Sequence, residues 1–120
     1  MGMKDILFKT PFFRLVKNSH YFQIEYDSPN AGVVIIPVVI KDGVEHLVFV
    51  KNFRVPINQD SWELPRGFID QGEEPIQAAQ RELKEETSFR SQPTQLTRIG
   101  QVAPDSGLIN NKLPVFVAKL

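Results

Sequence analysis

The chain alternates between dense apolar stretches and turn-forming residues, and only one stretch shifts to a helical period. Phe12–Lys17 and Tyr21–Tyr26 are rich in aromatic and branched residues, with the turn-like Asn18-Ser19-His20 between them. That pattern predicts a β-hairpin. Ser28-Pro29-Asn30 reads as a loop. Gly32–Ile40 is dense in Val and Ile, which predicts a strand buried on both faces. Pro37 inside it implies an edge position or a bulge, because proline donates no ladder hydrogen bond. Lys41-Asp42-Gly43 is a turn signal, with Glu45–Phe53 as the return strand. Pro56 to Pro65 reads as a loop holding one large apolar residue, Trp62, and Gly67–Ile69 as a short extended piece ending in Asp70-Gln71-Gly72.

Pro75 to Thr87 differs. It holds no interior glycine or proline and is dense in Ala, Leu, Gln, Glu and Lys, all good helix formers. Pro75 suits the first helical turn, with Glu74 at the cap position. Thr94–Val102 and Leu113–Lys119 are further strands, joined by a loop with Pro104, Asp105 and Gly107. Strands, one helix and more strands predict a mixed α+β domain, not a βαβ repeat.

At 100° per residue, Glu82, Glu85 and Glu86 share one face of this helix, and Ile76, Ala79 and Leu83 form a neighbouring apolar stripe. Gln77, Gln80 and Lys84 lie opposite and are expected to face water. Ala78, one turn before Glu82, is expected to leave space for an ion or ligand. Three carboxylates at this spacing repel one another by a few tenths of a kcal/mol per pair, and Arg81 offsets part of that. A divalent cation would remove the conflict, since hard cations prefer carboxylate oxygens and bridge to phosphates. Taken alone, Glu-x-x-Glu-Glu is also an ordinary solvated acidic face.

The length, 120 residues, fits one domain spanning 1–120. Lys plus Arg and Asp plus Glu both number 14, so the basic surplus of a general nucleic-acid binder is missing. There is no cysteine, which excludes disulfides and Cys-ligated zinc. Met1 to Phe13 lacks the apolar core of a signal peptide, and Gly32 to Ile40, the longest apolar stretch, is too short to span a membrane. A soluble cytoplasmic protein is the expectation, with no nucleic-acid or membrane partner.

The acidic helix sits in a larger pattern. Gly67 is followed by Glu73, then Arg81, then Glu82-Leu83-Lys84-Glu85-Glu86. GFIDQGEEPIQAAQRELKEETSF, Gly67 to Phe89, resembles the Nudix box, Gly-x5-Glu-x7-Arg-Glu-U-x-Glu-Glu-x-Gly-U with U a bulky apolar residue. The one departure is Ser88, where the family has glycine. That glycine normally ends the helix at positive φ, so serine implies either a strained cap or a different helix end. The resemblance implies a Nudix-type α/β/α sandwich with a mixed β-sheet. It also implies Mg²⁺ or Mn²⁺ held chiefly by Glu82 and Glu86, with Glu85 as a further ligand or water-activating base and a main-chain carbonyl of Arg66 or Gly67 completing the shell. Glu73 and Arg81 are expected to hold loop and helix together. Arg54 and Arg66 are candidates to clamp phosphate oxygens, and Trp62 or Phe53 to stack on a base. His20 and His46 are not expected to be catalytic.

Asn52 to Gly72, NFRVPINQDSWELPRGFIDQG, resembles the ADP-ribose pyrophosphatase branch, as does Pro104, 15 residues beyond Phe89. That branch implies hydrolysis of ADP-ribose to AMP and ribose 5-phosphate, and homodimers are common in it. Its members usually continue past the strand matching Leu113–Lys119 to another catalytic glutamate, so the chain is expected to be short at its C-terminus. Other Nudix substrates (a nucleotide-sugar, a dinucleoside polyphosphate or a nucleoside triphosphate) and a non-catalytic nucleotide sensor stay open as alternatives.

Overall fold

In the computed structural model, residues 3–26 and 32–120 are described; the loop expected at Ser28-Pro29-Asn30 lies outside them. The chain divides into two compact units. The first comprises Met1–Ala31 with Gln101–Leu113, and the second Gly32–Gly100 with Pro114–Leu120.

The described part of the first unit is a three-stranded antiparallel sheet, β1 (Lys4–Lys9), β2 (Phe13–Asn18) and β3 (Tyr21–Tyr26), in that spatial order. The expected hairpin is β2–β3, with Ser19 at φ 58° in its turn. β1 carries no turn signal of its own and was not anticipated; its six residues are all exposed. The segment after Gln101 joins this sheet through a parallel bridge between Ile24 and Ile109. Glu25 is nearly buried there, and Lys4, Gln23 and Asn110 donate hydrogen bonds to its carboxylate.

The second unit is built on β4 (Val33–Lys41). On one side β4 pairs in parallel with β10 (Leu113–Lys119), beyond which lies β9 (Leu96–Val102). On the other it pairs antiparallel with β8 (Arg66–Gly67) at Val33 and Val34, and with β5 (Val44–Leu47) from Val38 onward. The sheet is therefore mixed. Pro37 is neither at an edge nor in a bulge, contrary to expectation. It sits mid-strand opposite Ala118, in the gap after β8 and before β5 begins. Ile35, two residues earlier, donates its N–H to Pro65 on the β8 side. The missing Pro37 donor faces the same side, where Val48, just past the end of β5, donates its N–H to the Pro37 carbonyl at 3.1 Å, so this pair holds one ladder bond instead of two. The strand is also not buried on both faces: Val33, Ile35 and Pro37 are fully buried, whereas Val34, Ile36 and Val38 are only partly so.

The single return strand expected over Glu45–Phe53 is two strands. β5 ends at Leu47, and β6 (Val50–Arg54) leaves β4 to pair with β7 (Gln59–Glu63) in a two-stranded ribbon. Pro56–Pro65 is thus not simply a loop. Val55–Ile57 forms one 3₁₀ turn, Asn58 takes φ 51°, and the chain returns as β7.

The α+β class and mixed sheet match the expectation, and the described residues supply one helical layer, α1 (Pro75–Thr87). Glu74 caps it with a reciprocal bond pair to Gln77, and Pro75 occupies its first turn. Ala78, Ala79 and Leu83 pack with Val33, Ile35, Ile69, Leu96, Phe116 and Ala118 into one core. The space expected over Ala78 is filled by this packing: a methyl-sized side chain there lets the helix lie close to the sheet.

Candidate active site

The loop from β8 into α1 is pinned by one arginine. Arg81 donates from Nε and Nη2 to the two oxygens of Glu73, each at 2.9 Å, and from Nη2 to the Phe68 carbonyl at 2.9 Å. Glu73 also accepts the Asp70 N–H at 3.0 Å. The Arg81 guanidinium holds the Glu73 carboxyl below its usual range, and Glu73 raises the pKa of Arg81. One side-on fork thus joins both ends of the loop to the helix.

Arg81 also reaches the acidic face. Its Nη1 donates to Glu82 Oε1 at 2.8 Å and to Glu85 Oε2 at 3.3 Å. Glu85 is exposed and drawn toward Arg81. Glu82 is mostly buried, and its carboxylate lies directly over the Cα of Gly67, where any Cβ would overlap it. One turn further, the Glu86 carboxyl is pushed above its usual range, first by loss of surrounding water and second by the Glu82 charge. The Arg66 main-chain N–H and the Arg54 charge pull it part of the way back. Glu82, Glu86 and the Arg66–Gly67 backbone therefore form one group, with Glu85 to the side. Among the described residues no three carboxylate or imidazole side chains converge on one point.

The β6–β7 ribbon has two different faces. Asn52, Arg54, Ser61 and Glu63 alternate onto the more buried one. Arg54 Nε donates to Glu63 Oε1 and Oε2 at 3.1 and 3.0 Å, and Asn52 Nδ2 donates to Glu63 Oε1 at 3.2 Å. Arg54 holds the Glu63 carboxyl down at about 2, helped by hydrogen bonds from Asn52 and Ser61. Arg54 also feels the Glu86 charge. Phe53 and Trp62 stand exposed on the opposite face, where Lys51 lies 5.7 Å from the Trp62 ring centroid. The ribbon thus brings Arg54 toward the acidic helix and turns both aromatic candidates away from Arg54. Arg66 is exposed on β8. His46 is exposed and its Nδ1 contacts the Val44 carbonyl; His20 lies in the β2–β3 turn.

Glu63 and Asn52 were not singled out from the sequence. The signal was present in the alternation of Asn52 with Arg54 and of Ser61 with Glu63. It becomes readable only once Gln59–Glu63 is recognised as a strand.

The chain belongs to the NUDIX domain family, whose model matches residues 29–109. It is 34% identical over 88 residues to the ADP-ribose pyrophosphatase of Bacillus subtilis (strain 168), covering 73% of this chain and 45% of that protein. It is 39% identical over 80 residues to the ADP-sugar pyrophosphatase of Mus musculus, covering 66% of this chain and 36% of that one. The chain thus spans less than half the length of these relatives. A crystal structure of an ADP compounds hydrolase shares the fold, with a TM-score of 0.70 at 22% identity over 98% of this chain and 64% of that one. No helix among the described residues is long and apolar enough to cross a membrane.

Proposed function

We propose that this chain carries the metal-binding site of a hydrolase that splits the diphosphate of a nucleoside diphosphate derivative, with ADP-ribose as substrate and AMP and ribose 5-phosphate as products. The observation that carries this reading is the pairing of Glu82 and Glu86 at Gly67. Two carboxylates that repel each other, one seated in a cradle that no side chain could share, suit a hard cation. Glu82, Glu86 and a main-chain oxygen of Arg66 or Gly67 would hold Mg²⁺ or Mn²⁺, with Glu85 as a further ligand or as the base. A cation held there would neutralise charge on the diphosphate and lower the pKa of the attacking water.

The chain's own groups supply the rest. Arg54 offers paired donors to phosphate oxygens, and Arg66 adds a second positive charge from β8. Glu85, where it is not a further metal ligand, accepts the proton of the water. Glu73 and Arg81 keep the loop from drifting, so that the ligands stay aligned. Trp62 serves a base only if the ligand extends around the ribbon edge. The location is read as cytoplasmic, and assembly as a homodimer like others of this branch.

The reading is tested by phosphate release, with a phosphatase added, from ADP-ribose, a nucleotide-sugar, a dinucleoside polyphosphate and a nucleoside triphosphate in Mg²⁺. Turnover of ADP-ribose that disappears in Glu86→Gln with binding retained is the expected result. Binding without turnover of any of them would instead mark a nucleotide sensor.

A further inference from the structure

The Arg54–Glu63 pair is more than a brace across the ribbon. Arg54 stands opposite Gln59, whereas Glu63 stands opposite Val50, so the arginine side chain runs back along the ribbon face, past Asn52 and Ser61, to reach its partner. A guanidinium has five N–H donors arranged along its edges. Nε and Nη2 are committed to Glu63. Nη1 and the outer N–H of Nη2 form a second, parallel pair, and the Arg54 side chain is 42% exposed. Glu63 is itself fixed by Asn52 at 3.2 Å, so the guanidinium plane is set by a chain of contacts that begins in the ribbon backbone.

Arg54 lies within electrostatic reach of Glu86. Glu63 holds Arg54 with two aligned bonds.

We propose that Glu63 is a positioning residue: it holds Arg54 by its side edge and thereby presents the end edge of the guanidinium to the anionic oxygens of a bound diphosphate. This rests on reading the site as one that binds a diphosphate. A purely structural ribbon brace would alter stability without altering anion affinity.

The experiment compares wild type, Glu63→Gln, Asn52→Ala, Arg54→Lys and the double variant Arg54→Lys with Glu63→Gln. Binding of inorganic pyrophosphate in Mg²⁺ is measured by calorimetry, and KM and kcat are measured on ADP-ribose. Glu63→Gln is expected to weaken pyrophosphate binding and raise KM about tenfold, with kcat within about threefold of wild type. Asn52→Ala, which keeps both charges, shifts the same quantities in the same direction by less. Lysine has no fork to orient, so in the Arg54→Lys background the Glu63 substitution adds nothing. Unchanged pyrophosphate affinity in Glu63→Gln, or full additivity in the double variant, overturns the proposal. So does a wild type that fails to bind pyrophosphate. If pyrophosphate binds and the variants behave as expected while ADP-ribose is not hydrolysed, the positioning role stands and the ADP-ribose reading fails.

Discussion

The Glu82 carboxylate occupies the space that a Cβ on Gly67 would need. The glycine is therefore required for room, not for backbone conformation, since the positive-φ glycine of this loop is Gly72, at φ 80°. Gly67→Ala must push Glu82 out of its place or push β8 away from β4. What gives way most readily is the carboxylate end of the flexible Glu82 side chain, so the effect falls on where Glu82 points more than on stability. The expected outcome is a folded protein with a melting temperature near wild type and at least about tenfold weaker Mn²⁺ affinity by titration. Gly72→Ala, which meets no neighbour, is expected to destabilise through strain while leaving Mn²⁺ affinity near wild type. Equal loss of affinity in both variants would show that the cradle has no special role.

Glu63 gives the protein an acid-sensitive brace. Its carboxyl falls from an ordinary 4.5 to about 2 on folding, chiefly through Arg54. A depressed carboxylate adds stability that is fully present above its unfolded pKa and is lost as pH falls through its folded one. The window therefore runs from about 4.5 down to about 2. Because Arg54 is substantially exposed, screening reduces the contribution to roughly 1–2 kcal/mol. Urea melts from pH 7 to pH 2.5 are expected to converge for wild type and Glu63→Gln at the acid end and to separate above pH 5. A constant gap across that range would assign the effect to packing instead.

Some of this was legible in the sequence and some was not, for identifiable reasons. The helix over Pro75–Thr87 could be read because its cap, its apolar stripe and its acidic face all have local signals. That Arg81 and Glu73 hold loop and helix together was an implication of the resemblance to the Nudix box, not of any local signal. The ribbon was missed because Leu47 to Val50 carries no Gly, Pro or Asn to announce that one strand ends and another begins, and because Gln59–Glu63 is a polar run with one tryptophan. Pairing of β6 with β7 instead of β4 is a tertiary choice, and the Glu63–Arg54 contact depends on it. Pro37 departs from expectation because an edge is the usual haven for a strand proline; here it faces the end of β5, where Val48 donates to its carbonyl and only the return bond is lost, and that leaves no local trace.

Glu86 is expected to trade stability for function. Although Glu86 is an exposed residue, its carboxyl is raised by partial loss of surrounding water and by Glu82, so ionised Glu86 weakly opposes folding at neutral pH, and that penalty is relieved as pH falls through the raised pKa. Glu86→Gln removes the charge and keeps the shape. In EDTA its melting temperature is expected to exceed that of wild type by about 1–3 °C at pH 7, with the difference shrinking toward pH 4. In Mg²⁺, turnover should be lost. Glu82→Gln provides the complementary measurement, since removing that charge lowers the Glu86 pKa, readable from the carboxyl carbon shift by NMR. An unmoved Glu86 titration in that variant would mean that the two carboxylates do not sense each other.

Ser88 ends α1 in the left-handed region at φ 67°, with its N–H donated to the Lys84 carbonyl at 2.9 Å. Of the two outcomes left open by the sequence, the helix keeps the glycine-like cap and serine accepts the strain. Thr87 assists, donating its hydroxyl to the Leu83 carbonyl and accepting the Phe89 N–H at 3.2 Å, but neither bond relieves the Cβ crowding at Ser88. Ser88→Gly is therefore expected to stabilise the protein by about 0.5–1 kcal/mol, partly offset by the greater freedom of glycine in the unfolded chain. The gain should register as a higher urea midpoint at unchanged m-value. Mn²⁺ affinity and kcat should stay at wild-type values, because the cap lies beyond Glu86 and the exposed Ser88 side chain touches none of the acidic group. A fall in the urea midpoint would mean that the serine hydroxyl contributes more to the cap than its backbone strain removes.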